Sequence, residues 1–222
     1  MRVVSVNVGL PREVEWKNMT VQTAIFKEPV SGPVAVARLN LAGDRQADLN
    51  VHGGADKAVY GYPSEHYSWW REQLPDAAIA TGQFGENLTT AGLAEQSLYI
   101  GDVVKAGSAV LRVTQPRMPC YKLALRFGRD DIIKRFLASE RSGFYFAVLE
   151  EGSVEAGSAM EVVSRDPHRV SVTDIVRLYL NPTADAGLLA RALDTQALPL
   201  SWREYLRKRA DAAQAKPAAH GE

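Results

Sequence analysis

The sequence predicts a mainly β chain with added helices, and three observations carry that expectation. Short runs rich in Val, Ile, Leu and Phe recur from the N-terminus to about residue 165, separated by glycine-containing turns. A few segments between them show helical spacing instead, each behind a Ser or Asp. At Arg165-Asp166-Pro167-His168 the strand pattern stops and short helical stretches follow. Many short strands with glycine-rich turns favour a barrel or sandwich over a parallel α/β sheet. The expected division is a β domain over 1–165, a three-helix extension over 169–210 and a disordered tail over 212–222.

From the N-terminus, Met1 to Val8 alternates as a strand and ends at Gly9; Thr20 to Lys27 also alternates. Pro33 to Leu41 carries Val34, Val36 and Leu39 before Gly43-Asp44. Ser64 can cap a helix running to about Leu74, with His66, Tyr67, Trp69 and Trp70 on it. Leu98 to Ile100 meets the turn Gly101-Asp102, and Val103-Val104 comes next. Ala109 to Thr114 reads as a strand. Asp130 or Asp131 starts a helix whose face is Ile132, Ile133, Phe136 and Leu137. Phe144 to Leu149 and Ala159 to Val163 close the strand series. Ser171-Val172-Thr173-Asp174 resembles a capping box, Leu188 to Leu193 a second helix, and Ser201-Trp202-Arg203-Glu204 another box opening a helix to about Arg209.

Composition narrows the function classes. The chain has 222 residues, 46% hydrophobic and 23% charged, with 26 Lys+Arg against 26 Asp+Glu. That balance lacks the positive field of a general nucleic-acid binder. One cysteine forms no internal disulfide, and a reducing, cytoplasmic setting is expected. The N-terminal strand lacks the longer apolar core of a signal peptide. No run of about 18 apolar residues predicts a membrane span.

The lone cysteine, Cys120, lies in Gln115-Pro116-Arg117-Met118-Pro119-Cys120-Tyr121-Lys122, just after a predicted strand. Two prolines stiffen the turn. Arg117 and Lys122 are near in sequence, and cationic neighbours favour the thiolate, which is both nucleophile and metal ligand. A lone cysteine acting as a small buried hydrophobe is the other reading. A second polar stretch runs from Gly43 to Lys57 and includes Arg45, His52, Gly53 and Gly54. There the imidazole stands beside backbone that can approach a ligand closely; a plain surface loop is the alternative. Phe84-Gly85-Glu86-Asn87-Leu88-Thr89 is the third. Glu86 can bond heterocycle donors or tune a proton transfer, and Asn87 offers donors and acceptors; a turn between strands explains the same residues. His52, His66, His168 and His220 have no zinc-ligand spacing, and no Walker or dinucleotide loop occurs.

These stretches, taken with Tyr62-Pro63-Ser64-Glu65-His66-Tyr67, resemble the MOSC domain family, named for the C-terminal domain of molybdenum cofactor sulfurases. The YiiM-like bacterial branch is the nearest in pattern. The motifs are ordered along most of 1–165, and the tail with Ser201-Trp202 resembles that branch's three-helix extension.

The resemblance implies a β-barrel core holding a molybdenum cofactor of the molybdopterin type, with the Cys120 sulfur on molybdenum. It implies reduction of N-hydroxylated compounds such as hydroxylaminopurines, a detoxifying activity. A soft thiolate suits such a centre. Lys17, Arg45, Lys57, Arg117 and Lys122 are candidates for the cofactor phosphate. Glu86, Asn87, Gln115 and the Gly53-Gly54 backbone are candidates for the pterin edge. His52 or Glu86 would relay protons beside Cys120. One cysteine cannot hold an iron–sulfur cluster, so a separate electron-transfer protein is the expected donor. A persulfide or cofactor carrier without reductase activity is the alternative. Trp202 and Tyr205 could anchor a second copy of the chain, or simply pack on the β domain. No nucleic-acid polymer and no membrane is expected as partner.

Overall fold

The computed structural model of the chain describes residues 1–47 and 53–214. Its strands are β1 (Arg2–Val8), β2 (Arg12–Trp16), β3 (Met19–Thr23), β4 (Glu28–Val30), β5 (Val34–Val36), β6 (Val59–Pro63), β7 (Leu88–Ala91), β8 (Val103–Ala106), β9 (Ala109–Pro116), β10 (Phe144–Glu150), β11 (Gly152–Val154) and β12 (Met160–Ser164). The helices are α1 (His66–Gln73), α2 (Tyr121–Phe127), α3 (Ile132–Ala138), α4 (Val172–Leu180), α5 (Ala186–Asp194) and α6 (Leu200–Gln214). No helix among the described residues is long and apolar enough to cross a membrane.

Eight strands form one sheet in the order β12-β8-β9-β10-β6-β7-β1-β4, antiparallel except for β6 beside β7. The sheet rolls until β12 approaches β1. Arg2 bridges Ala159, Val3 N–H donates to the Ser158 carbonyl and Met160 N–H to that of Met1. The closure is a short bridge rather than a full ladder. In β1 the register shifts between Val3 and Ser5. This bulge rephases the alternation, so Val3 and Val6 both enter the core while Val4 stays exposed. It also leaves Asn7 facing the β7 end of the sheet, where its side-chain amide donates to Thr89 Oγ1 at 3.1 Å. Gly61 in β6 is required by close approach: a Cβ there would lie 2.6 Å from the Phe144 ring.

Two buried clusters result. The larger is mostly aliphatic, with Phe144 and Phe146, and joins the sheet to Val172, Ile175, Leu188 and Leu206 of the C-terminal helices, so those helices share the sheet's core. The smaller is aromatic and holds Tyr62, Trp70, Phe84 and Phe136 between β6 and α1 to α3. Tyr62 stacks on Phe84 at 4.4 Å, and Trp70 Nε1 donates to the Tyr62 hydroxyl at 2.6 Å.

Several expected elements are shorter or capped differently. The strand expected over 20–27 stops at Thr23. There the Thr23 hydroxyl accepts Ile25 N–H at 3.2 Å and the Ile25 carbonyl accepts Lys27 N–H, bending the chain out of the ladder. The run from Pro33 keeps only Val34–Val36, because Ala37 N–H turns back to the Asn40 carbonyl. Leu98 to Ile100 makes only an isolated bridge, Tyr99 to Ser171. Ser64 does not cap α1; its hydroxyl faces Glu65. The box at Ser171 forms as expected, with the Ser171 hydroxyl accepting Asp174 N–H and the Asp174 carboxylate accepting Ser171 N–H. The box at Ser201 does not, since α6 starts at Leu200, where the Pro199 carbonyl takes the Trp202 N–H. Helix α6 also continues past Arg209 to Gln214, so residues 212–214 of the expected tail are helical; 215–222 lie outside the described residues.

Candidate functional site

Strand β9 delivers the chain to the turn that holds Cys120. Its end is fixed from two sides. The Thr114 hydroxyl and the Gln115 amide both donate to the Asp56 carbonyl, at 2.6 and 3.3 Å, in the short 3-10 turn Ala55–Lys57. Trp202 Nε1 of α6 donates to Gln115 Oε1 at 2.6 Å. Pro116 and Pro119 restrict the backbone between the strand and Cys120. Cys120 is extended, at φ −128° and ψ 174°, immediately before α2, and is half-buried. The sulfur is therefore not sealed in the core.

Cys120 lines a cleft that opens to solvent. Arg45, Lys57, Asn87, Arg117 and Lys122, all expected at the site, line it too. The bend at Ala24, Ile25 and Lys27 forms one rim, and Tyr60, Phe84 and Tyr145 form aromatic wall. Among the described residues its lining carries five cations, Lys27, Arg45, Lys57, Arg117 and Lys122, and one carboxylate, Asp44.

That carboxylate is committed to the protein. Asp44 Oδ1 pairs with Lys27 Nζ and accepts Gly9 N–H at 2.9 Å; Oδ2 accepts the Asn87 amide at 2.8 Å. Both Lys27 and Asp44 are buried. Burial lowers the Lys27 pKa below its ordinary value, and the Asp44 charge pulls it back up. Lys57 is also lowered, by partial burial. Asn87 Oδ1 accepts Tyr60 N–H at 3.0 Å, so this amide braces β1, β6 and β7 at the cleft floor.

Arg117 is the cleft's unbalanced group. It is 6% exposed, and its Nη1 is buried without a hydrogen-bond partner. Its guanidinium carbon lies 5.1 Å from the Phe136 ring centre and 5.8 Å from that of Tyr60. Burial raises the Tyr145 pKa while the charge and hydrogen bond of Arg117 oppose the rise. A buried donor left unpaired costs about 1–3 kcal/mol, more when charged. Among the described residues Nη1 is therefore a buried donor still open to an acceptor, as are Arg112 Nε, Arg126 Nε and Arg141 Nε.

Other expected residues stand elsewhere. Lys17 sits at positive φ in the two-residue turn between β2 and β3 and pairs with exposed Asp130 at 2.6 Å. Glu86 is fully buried behind the wall. Its oxygens accept the Tyr67 hydroxyl, the Gly82 and Phe84 N–H groups at 2.7 and 3.0 Å, and the Thr89 hydroxyl at 3.0 Å. Burial raises its pKa, and these donors oppose that. Glu86 thus holds the 82–89 turn instead of facing a ligand. Gly82 belongs there because a Cβ would strike the Lys27 carbonyl at 2.5 Å, at φ +79°. Gln115 is spent on Asp56 and Trp202. Gly53 and Gly54 precede the 3-10 turn and do not line the cleft. His52 lies outside the described residues.

Sequence reasoning missed Lys27 and gave Asp44 no role. Gly43-Asp44 was visible as a motif, but nothing near Lys27 marks it. Its place depends on the bend after Thr23.

The residues fit an anionic, phosphate-bearing cofactor with a metal end that accepts a thiolate. Arg117 Nη1 supplies a desolvated donor, the cationic excess favours negative charge, and Cys120 supplies sulfur on the same cleft. Among the described residues no three His, Cys, Asp or Glu gather to hold a metal by themselves.

Comparison with known proteins identifies the family. Residues 48–161 match the MOSC domain, and residues 170–211 match the YiiM-like, 3-alpha helix domain. The chain is 42% identical to the protein YflK of Bacillus subtilis (strain 168) over 209 residues, 94% of each chain. It is 33% identical to a protein named "Reductase" from Gibberella moniliformis, over 77% of this chain and 31% of that one. The crystal structure of YiiM from Geobacillus stearothermophilus superposes with a TM-score of 0.78 at 36% identity, covering 94% of this chain and 98% of that one.

Proposed function

Because the chain belongs to the MOSC domain family, with a C-terminal unit of the YiiM-like type, we propose that it is a molybdenum-cofactor reductase of N-hydroxylated compounds such as hydroxylaminopurines. The family is associated with molybdenum cofactor binding in general, and the fungal relative's name adds a reductase. The observation that carries the reading is the pairing on one cleft of a half-buried sulfur with a buried, unpartnered Arg117 nitrogen.

In this reading Cys120 holds molybdenum through its sulfur. Arg117 gives a directed bond to the anionic end, and Arg45, Lys57 and Lys122 add charge around it. Lys27 is tied to Asp44 and keeps the rim in place. The cofactor, when bound, supplies two-electron oxygen transfer. The overall change converts an N–OH group, two electrons and two protons into N–H and water. A separate donor protein, working in the cytoplasm, supplies the electrons. His52 is the proposed proton relay, and Glu86 is a support for the 82–89 turn.

Molybdenum analysis of gently purified protein tests this. Wild type is expected to carry stoichiometric molybdenum and to reduce 6-hydroxylaminopurine with a reducing partner. Cys120→Ala is expected to lose both. Equal reduction by the variant overturns the mechanism. Sulfur added at Cys120 without molybdenum points to a persulfide carrier instead.

A further inference from the structure

A second concavity lies on the other side of the Cys120 loop. It is lined by Met118, Tyr179, Ser201, Trp202 and Tyr205. Met118 also lines the cationic cleft, so the two spaces share a wall. Met118 and Cys120 are two residues apart, which limits their Cα separation to about 7 Å.

The lining chemistry of the groove is specific. None of its five residues is charged. Tyr179 and Tyr205 stack at 5.4 Å and 18°, and Trp202 stands edge-on to Tyr179 at 6.0 Å and 62°. These rings are held. Trp202 is fixed by Gln115, and Arg209 of α6 donates to the Tyr179 carbonyl and to the Tyr205 hydroxyl. Yet Tyr205 remains 38% exposed, an aromatic edge left in water. Met118 adds a polarizable thioether that favours ring contacts. Uncharged aromatic walls around an adaptable sulfur suit a flat, neutral, aromatic ring, and suit a phosphate poorly.

We propose that this groove is the substrate-ring subsite: it seats a planar, uncharged aromatic heterocycle so that its N–OH substituent reaches over Met118 towards the Cys120 cleft. This rests on the proposed reductase reading and adds the place where the substrate's ring sits. It also assigns a task to the C-terminal helices, which supply every lining residue except Met118.

The test separates the two claims. Binding of 6-hydroxylaminopurine and of cyclohexylhydroxylamine, a saturated counterpart, is measured by equilibrium dialysis, alongside molybdenum content. Tyr205→Ala is expected to weaken the purine by roughly three- to tenfold, the loss of one ring contact, with cyclohexylhydroxylamine and molybdenum unchanged. Tyr205→Phe keeps the ring and is expected to bind as wild type, and unchanged molybdenum and cyclohexylhydroxylamine binding in Tyr205→Ala exclude a folding defect as the cause. An unchanged purine affinity in Tyr205→Ala, or an equal loss for both compounds, overturns the subsite. Molybdenum-loaded protein that binds no purine also overturns it while leaving the cofactor reading intact. Purine binding that depends on Tyr205 in a protein that never takes up molybdenum supports the subsite and overturns the cofactor reading.

Discussion

The cationic cleft and the aromatic groove meet at Met118 but are assembled in different ways. The cleft gathers Lys27, Arg45, Lys57, Arg117 and Lys122 from segments spread over about half the chain. The groove draws four of its five residues from positions 179 to 205. Trp202 and Tyr205 are three apart on one helix, so their neighbourhood follows from helical spacing. No local rule puts Lys27 beside Asp44; only the rolled sheet does. Charge convergence is therefore the long-range property of this fold, and ring clustering is the local one. The cleft should break when a distant partner is removed, and the groove should not.

The largest expected effect tests that dependence. Lys27→Met leaves Asp44 buried without its cation, and breaking such a pair costs about 3–5 kcal/mol in urea unfolding. The pH sign is set by the lowered pKa of Lys27. Between its native value and the ordinary 10.5, the unfolded chain holds more protons than the native one, so stability rises with pH in that window. In Lys27→Met that rise is expected to flatten. A variant as stable as wild type would show that the buried pair contributes nothing to the cleft.

Next is Arg117→Met. The methionine removes the charge and the unpaired Nη1 but fills similar space between Phe136 and Tyr60. Molybdenum retention is expected to fall about tenfold or more, as for loss of a hydrogen bond to a charged group. Purine binding in the groove should not change. Parallel losses in both assays would mean that the two spaces act as one.

The smallest effect is expected from Trp202→Phe, which removes the bond to Gln115 Oε1 while keeping a ring in the groove. It should cost about 0.5–1.5 kcal/mol of stability, seen by urea unfolding. Because Gln115 also holds Asp56 and the end of β9, this substitution probes coupling between groove and cleft. Molybdenum content is expected to stay within experimental error of wild type. A loss comparable to that of Arg117→Met would show that the C-terminal helices position the Cys120 turn.

Much of the fold was legible in local pattern. The Ser171 box, the apolar face of α3 and the runs that became β1, β9, β10 and β12 reflect spacings of two or 3.6 residues. Where local pattern misled, a neighbouring side chain or carbonyl had bent the chain, as Thr23 does before Lys27 and Pro199 does before Ser201. Helix α2, directly after Cys120, was not anticipated; the prolines before it mark the turn and carry no signal for the helix beyond it.

The site was legible as residue types and less so as roles. Cys120, Arg117, Lys122, Arg45 and Lys57 were named from motif and charge, and they do share one cleft. Glu86, Gln115 and Lys17 carry the same kinds of groups, yet each is occupied by protein. A carboxylate or amide looks alike in sequence whether it faces a ligand or a backbone N–H. Which way it points depends on strand register, and a single bulge such as that between Val3 and Ser5 reverses faces. The order of residues alone was enough for the family motifs, the helical C-terminal unit and the single sulfur. Which polar groups keep unmet hydrogen bonds emerged only from the folded chain, because burial and pairing are properties of segments far apart along it.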